Sequence, residues 1–255
     1  LSHGSKFPDE EAALRARMAE LVDHIHIMNP ETVALCMPYY AIPQDKVFHV
    51  PHPSYHGVYG DYIGQTEARH TLGLLPDDKA FLLFGNMMQQ KGGARFLAEL
   101  DQLQEKLDGK ARVFVVGKSF DAAYMTKVKA LVAERNDVQL HLGYLDDQKL
   151  QVYFRAVDVV VCPYAITLNS GVVMTAASFG RPVVVPHSLR PILPEVNGQV
   201  ASYDIDDMDD CIDACIKAVE LGSIADTEMV LSNWAQTLAP RKVSSRFFEA
   251  LRSRL

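Results

Sequence analysis

Two short stretches of the sequence combine basic, small and helix-capping residues in a way that suits phosphate binding. The first is the glycine-rich run 85–93, in which Lys91 precedes two glycines at the predicted start of a helix. The second is Asn169-Ser170-Gly171, where either of the first two residues can cap a helix. Free N–H groups at a helix start attract anions, and an ammonium group adds a full positive charge. We therefore predict an anion site, while a solvated loop lysine remains the alternative interpretation of Lys91.

Strands and helices alternate around these stretches. Short, mainly apolar runs predict strands at 80–84, 112–116, 138–142, 157–161, 183–185 and 199–203, and the run 157–161 is too rich in β-branched residues and too short for a helix. The segments between them predict helices at 93–107, 122–134, 147–156 and 171–179. This alternation is typical of an α/β fold, with a doubly wound, Rossmann-like parallel sheet of about six strands and helices on both faces. Such sheets bind ligands at the carboxyl ends of their strands, where both stretches lie.

The two ends of the chain are predicted to be mainly helical. Before the alternation come a loop at 1–7, an amphipathic helix at 8–23, a strand at 24–28, a short helix ending at Cys36 and a strand at 46–50. After it come helices at 208–221, 226–238 and 241–255. The first segment is too short to form a self-sufficient domain. We expect it to be the end of a second, incomplete domain.

Composition narrows the class of protein. The 255 residues are 48% hydrophobic and 22% charged, which is typical of a globular protein. A net charge of -7 argues against a general surface for nucleic acid or anionic membranes. No apolar run approaches the roughly 20 residues that span a bilayer, and no signal peptide is recognisable. Cys211 and Cys215 are predicted to be buried thiols, so we expect a cytoplasmic protein in a reducing compartment.

Several other site chemistries are disfavoured by the motifs. No Gly-x-Gly-x-x-Gly sequence follows a strand, which argues against a nicotinamide or flavin enzyme. The Gly-Lys-Ser at 117–119 lacks the upstream glycine of a Walker motif. Three strand histidines, His24, His26 and His49, lack acidic or thiol companions, so no metal site is expected there.

The order of the motifs resembles the C-terminal half of a GT-B glycosyltransferase. It runs from the glycine loop with Lys91, through the strand-end glycines at 117 and 143, to Cys162-Pro-Tyr164, Ser170-Gly171 and the Ser-Phe-Gly-Arg-Pro at 178–182. The likeness covers about residues 46–255 and is to the retaining, nucleotide-sugar-dependent family 4, in its bacterial polysaccharide branch. It implies an N-terminal acceptor domain ending in 1–45, a donor-binding domain at 46–238, and a last helix at 239–255 that packs back toward the first domain.

The resemblance also implies a function. It predicts a hexosyltransferase-type enzyme that moves a sugar from a nucleotide diphosphate sugar to a saccharide or lipid-linked acceptor, with retention of configuration. We expect no metal cofactor and no nucleic acid partner, and we expect a cytoplasmic protein with peripheral membrane contact through its first domain. By motif position, Lys91 would neutralise the diphosphate and His3 would face the donor sugar. The implied donor-binding residues are Gly85, Asn86, Gly92, Gly117, Lys118, Tyr144, Leu145, Thr167, Asn169, Ser170, Gly171, Val172 and Thr175.

The chain departs from the family pattern at three of these positions. Asn86 stands where the family typically has an arginine, and Thr167 and Thr175 stand where it tends to have two glutamates. The second glutamate normally holds the ribose of the nucleotide. A nucleotide-sugar-binding module without catalysis therefore remains an alternative. A nucleotide-sugar epimerase of GT-B type is a weaker one, because acidic and histidine side chains are scarce at the strand ends.

Overall fold

A computed structural model describes residues 8–36, 43–165, 167–224 and 226–255. The first segment contains helix α1 (Pro8–Leu21), strand β1 (Ile25–Ile27), the short helix α2 (Thr32–Cys36) and strand β2 (Val47–His49). The two strands pair in parallel and form a small sheet of their own. The predicted loop at 1–7 lies outside the described residues.

The centre of the fold is a six-stranded parallel sheet in the order β5-β4-β3-β6-β7-β8. The α/β fold with about six parallel strands is therefore confirmed. The strands are β3 (Lys79–Phe84), β4 (Ala111–Gly117), β5 (Val138–Leu142), β6 (Val159–Val161), β7 (Val183–Pro186) and β8 (Ser202–Tyr203).

The helices cover both faces of this sheet. The helices after β2 are α3 (Gln65–Thr71), α4 (Gly93–Ala98), α5 (Leu100–Lys106), α6 (Ala122–Val132), α7 (Asp147–Ala156), α8 (Gly171–Ser178), α9 (Met208–Gly222), α10 (Thr227–Thr237) and α11 (Pro240–Arg252), of which α11 packs against the small sheet. Alternate strand residues enter two separate cores, because successive strand side chains point to opposite faces. Phe81 and Val113 pack under α4, α5, α6 and α9, while Leu82 and Phe114 pack under α7 and α8.

Two predicted elements differ clearly from the structure, and one helix was not predicted. The single helix expected at 93–107 is two helices, because the backbone of Glu99 (φ −102°, ψ 13°) leaves the helical conformation. The strand expected at 199–203 shrinks to two residues, because Gln199 pairs with Val196 across a turn instead of with β7. Helix α3 was not predicted, because it is short and buries only Ala68, so it shows no apolar periodicity.

The first segment and the end of the chain contact each other directly. The ring of Phe247 in α11 lies 5.6 Å from that of Phe48 in β2 and 5.2 Å from that of His26 in β1, measured between centroids. By contrast, Leu14, Met18 and other apolar residues of α1 are exposed. The helix itself is confirmed, but within the described residues its apolar side chains are not covered. The division of the chain into domains stays a prediction.

Candidate functional site

The candidate site lies where the order of the strands reverses, between the carboxyl ends of β3 and β6. The chain places β4 and β5 on one side of β3, and β7 and β8 on the far side of β6. The loops that leave β3 and β6 meet there, and the N–H of Ala165 donates to the carbonyl of Gln90 over 3.0 Å. Open α/β sheets bind their ligands in such a crevice. Both predicted anion-binding stretches therefore line one crevice.

Gly92 allows these two loops to approach closely. Its φ is +66°, and a Cβ atom there would lie 1.6 Å from the carbonyl oxygen of Pro163. Only glycine fits such a contact in this conformation. The residue before it, Lys91, ends a single 3₁₀ turn (Gln89–Lys91). Gly92 thus places Lys91 over the loop that follows β6.

The ammonium group of Lys91 is held inside the crevice. Its Nζ atom lies 3.8 Å from the centroid of the Tyr164 ring. Burial lowers the pKa of Lys91, while the neighbouring Cys162 acts in the opposite direction. Burial also raises the pKa of the Cys162 thiol to about 11, so this thiol is neutral near pH 7 and leaves the ammonium uncompensated. Lys91 is thus half-buried against an aromatic ring, which favours the anion site over the solvated loop lysine.

The first turn of α8 faces the same crevice. Ser170 is the residue that caps it, since its Oγ accepts from the N–H of Val173, and its hydroxyl also lies 3.0 Å from that of Tyr164. The first N–H groups of a helix have no partner within it, so those of Gly171 and Val172 are directed out of its N-terminal end. These N–H groups are donors for an anion in the same crevice as Lys91.

The polar residues around this turn are engaged with the local backbone. The Thr167 hydroxyl donates to the carbonyl of Asn169 over 2.8 Å, and the Thr175 hydroxyl donates to that of Gly171 over 2.9 Å. Thr175 is only 4% exposed, so it lies within the buried face of α8. Within the described part of the chain, the Oδ1 atom of Asn169 is buried without a hydrogen-bond partner. The donor-binding roles of Thr167 and Asn169 stay predictions, while the burial of Thr175 argues against a direct contact of its side chain with a donor.

Three glycines extend the crevice from α8 toward β5. A Cβ atom at Gly117, whose φ is +148°, would lie 1.8 Å from the carbonyl oxygen of Gly85, and one at Gly85 would meet Val172 at 3.5 Å. The N–H of Gly143 donates to the carbonyl of Gly117 over 2.8 Å. These contacts place the ends of β3, β4 and β5 next to the start of α8.

The side chains flanking this row of glycines differ in accessibility. Asn86 and Lys118 are exposed, and the backbone of Lys118 accepts from Met87 over 2.7 Å. Tyr144 is 78% exposed directly after Gly143. Leu145 is half-buried and packs against the core beneath it. Tyr144 and Lys118 are thus accessible to a ligand, and the Lys118 Nζ atom lies 5.1 Å from the centroid of the Phe120 ring.

Three further residues contribute to this site although none of them was predicted to be a site residue. Tyr164 contacts Lys91 and Ser170, and the Tyr55 hydroxyl would lie 3.1 Å from a Cβ atom at Gly171. Asn29, which is fully buried, donates from Nδ2 to the carbonyls of Leu168 and Ser188, each over 3.0 Å. Only Tyr164 had a sequence signal, since it follows the proline after β6. The contacts of the other two join distant segments.

The histidines considered in the sequence analysis lie away from this crevice or outside the described part of the chain. His3 is among the residues that the structure does not describe, so its role stays a prediction. The rings of His24 and His26 pack on Phe48, and His26 Nε2 lies 2.8 Å from the carbonyl oxygen of Val50. His49 Nε2 lies 3.3 Å from the carbonyl oxygen of Met28. These groups hold β1 and β2 together.

The site and fold agree with a comparison against protein families. Residues 78–220 match the family described as glycosyl transferases group 1. This match covers more than half of the chain, so the chain belongs to that family, as the predicted glycosyltransferase resemblance required. The matched region contains the loops after β3, β4, β5 and β6, and hence most of the crevice. In addition, no helix among the described residues is long and apolar enough to cross a membrane.

Individual relatives share less than a third of their aligned residues with this chain. The chain is 29% identical over 133 residues to the GDP-mannose:glycolipid 4-beta-D-mannosyltransferase of Xanthomonas campestris pv. campestris, covering 52% of this chain and 36% of that enzyme. Among solved structures, it is similar to sucrose-phosphate synthase from Thermosynechococcus elongatus, with a TM-score of 0.76, 19% identity and coverage of 98% and 64%. It is also similar to HepE from Anabaena bound to UDP and glucose, with a TM-score of 0.74, 14% identity and coverage of 96% and 67%. The matched stretch thus spans about a third of the curated relative, and the structural likeness shows the fold.

Proposed function

We propose that this chain is the donor-binding part of a retaining hexosyltransferase. The enzyme would transfer a sugar from a nucleoside diphosphate sugar to a saccharide or lipid-linked acceptor. The observation that carries the proposal is the position of Lys91 beside the N-terminus of α8, at the switch point of the sheet. A half-buried cation and a set of backbone N–H groups together suit a diphosphate better than a single phosphate.

The same arrangement suits the chemistry of transfer. When the bond between the sugar and the diphosphate breaks, negative charge grows on the leaving phosphate oxygen. Lys91 and the N–H groups of Gly171 and Val172 are already in place to stabilise that charge. Because they need no reorganisation, they favour the transition state over the bound donor. We propose on this basis that the reaction needs no metal ion.

The acceptor and cellular setting are part of the same proposal. The mannosyltransferase relative acts, by its name, on a glycolipid, and HepE was solved with UDP and glucose. By analogy we propose a saccharide or lipid-linked acceptor, a role in polysaccharide synthesis, and a cytoplasmic site of action at the inner face of a membrane. His3, in the first segment, would face the donor sugar.

Calorimetric titration with UDP, GDP and their hexose conjugates tests the proposal. The wild-type chain is expected to bind at least one of them, and Lys91→Ala should weaken that binding strongly, by about tenfold to a hundredfold for a lost charge-assisted contact. Lys110→Ala is the matched control, because Lys110 is exposed and precedes β4 at the opposite edge of the sheet. Absence of binding to all of these ligands would refute the proposal.

A second candidate function is supported by one specific observation. Thr175 is buried with its hydroxyl donated to Gly171, so it does not offer the ribose contact that the family glutamate would make. This favours a module that binds nucleotide sugars without transferring them. The two functions are separated by incubating the complete natural protein with donor and acceptor. Formation of a glycoside or hydrolysis of the donor excludes the binding module.

A further inference from the structure

We propose that Tyr164 is a positioning residue that holds the Lys91 ammonium and the first turn of α8 in one geometry. The inference rests on the proposed function, since it concerns how the diphosphate site is kept in shape. No motif position assigns this role to Tyr164. The contacts that support it come from both ends of its side chain.

The ring of Tyr164 supports the ammonium group. Lys91 Nζ lies 3.8 Å from the ring centroid, within the range in which an aromatic face attracts a cation. Tyr164 is only 3% exposed, so the ring is fixed in place. Its backbone is fixed as well, because the Tyr203 hydroxyl lies 3.1 Å from the carbonyl oxygens of both Cys162 and Tyr164, which share its one proton.

The hydroxyl of Tyr164 supports the helix. It lies 3.0 Å from the Oγ atom of Ser170, which in turn accepts from the N–H of Val173. Ser170 is 3% exposed, so this pair of hydroxyls is closed off from solvent. One rigid side chain therefore connects the cation of the β3 loop with the cap of the helix that follows β6.

The choice of an aromatic partner has a chemical consequence for Lys91. A carboxylate at this position would hold the ammonium more firmly, but it would also neutralise it and compete with a phosphate. The face of a tyrosine ring holds the cation while leaving its charge available. Lys91 is thus oriented before a ligand arrives, which lowers the entropic cost of binding.

The ring should also influence the protonation of Lys91. The groups acting on this ammonium are its buried surroundings, which lower its pKa, and Cys162, which opposes that effect. An aromatic face favours the charged form of lysine, so removal of the ring should lower the pKa of Lys91 further. From the usual strength of such contacts, we expect a fall of about 0.4 to 1.5 pH units.

Two substitutions separate the ring from the hydroxyl. Tyr164→Phe keeps the ring and removes the hydroxyl contacts with Ser170 and Cys162, whereas Tyr164→Leu removes both the ring and the hydroxyl. The pKa of Lys91 is read from the pH dependence of its ¹³Cε resonance in ¹³C-lysine-labelled protein, with Lys91→Arg assigning the signal. We expect Tyr164→Phe to leave this pKa unchanged and Tyr164→Leu to lower it. An unchanged pKa in Tyr164→Leu, or equal changes in both variants, would overturn the inference.

Binding of UDP and GDP at pH 7.5 provides a second measurement. Tyr164→Leu should weaken binding by about tenfold, and Tyr164→Phe by no more than about threefold, in proportion to the contacts removed. Equal affinities in all three proteins would also overturn the inference. If Tyr164→Leu does not fold by circular dichroism, Tyr164→Met replaces it as the variant without a ring. The titration of Lys91 needs no ligand, so failure of the proposed function appears separately, as absence of nucleotide binding by the wild-type chain.

Discussion

The carbonyl oxygen of Gly85 occupies the space that a side chain at Gly117 would need, 1.8 Å from the position of its Cβ atom. The ends of β3 and β4 can therefore be adjacent only because residue 117 is glycine. Gly85 and Gly117 also line the crevice between Lys91 and β5. The absence of side chains at these two residues therefore both allows the strands to pack closely and leaves room for a ligand.

Gly117→Ala is expected to lower the free energy of unfolding by about 3 kcal/mol or more, from overpacking combined with an unfavourable φ. Gly109→Ala is the matched control, because Gly109 also has a positive φ (+76°) but has open space around its Cβ position. It should cost only about 1 kcal/mol. Urea denaturation measures both values. Equal costs would mean that the contact with Gly85 is not restrictive.

Asn29→Ala should destabilise the protein by about 2 to 4 kcal/mol, because the carbonyls of Leu168 and Ser188 would lose a buried donor. It should also weaken nucleotide binding, since Leu168 lies in the loop before α8. Thr32→Val is the control, as the Thr32 hydroxyl is buried without a partner among the described residues. That change should be neutral or stabilising. Thermal unfolding and calorimetry measure the two effects, and a neutral Asn29→Ala would refute the anchoring role.

Thr175→Val should leave nucleotide affinity unchanged, because the Thr175 hydroxyl donates within its own helix and is not presented to the crevice. Thr175→Glu, which introduces the residue type of the family pattern, should instead destabilise the fold by several kcal/mol through burial of a carboxylate. Calorimetric titration with UDP and GDP and urea denaturation check both variants. A tenfold loss of affinity in Thr175→Val would show that this hydroxyl does reach the ligand.

Removal of divalent metal ions should not weaken nucleotide diphosphate binding if Lys91 and the start of α8 supply the positive potential. We expect the same affinity in EDTA as in magnesium or manganese. Isothermal calorimetry after extensive dialysis is the measurement. A large loss of affinity in EDTA, restored by either cation, would contradict the metal-independent mechanism and assign the charge neutralisation to the ion.

The main sheet was predictable from sequence because its signals are local. The runs 138–142 and 147–156 were predicted with the bounds that the structure has, since an alternation of apolar and polar residues marks the first and an aspartate cap marks the second. Most other elements differ by one or two residues at their ends. Helix α3 was not predictable, since its single buried residue leaves no periodic pattern.

The candidate site was predictable in its backbone and less so in its side chains. Glycines and a helix cap at the ends of strands indicate an anion site in an α/β fold. The partners of Lys91 and the anchoring by Asn29 could not be predicted in this way. Asn29 and Leu168 are 139 residues apart in the chain, and only the folded arrangement brings them together.

The contact of Phe247 with Phe48 and His26 also bears on how the protein folds during synthesis. The small sheet of β1 and β2 is translated some two hundred residues before the helix that covers it. Until α11 emerges from the ribosome, Phe48 lacks the ring of Phe247, so the packing of this small sheet is incomplete. A nascent chain would thus complete its central sheet before β1 and β2 are covered, so translation arrest before α11 should leave these two strands open to proteases.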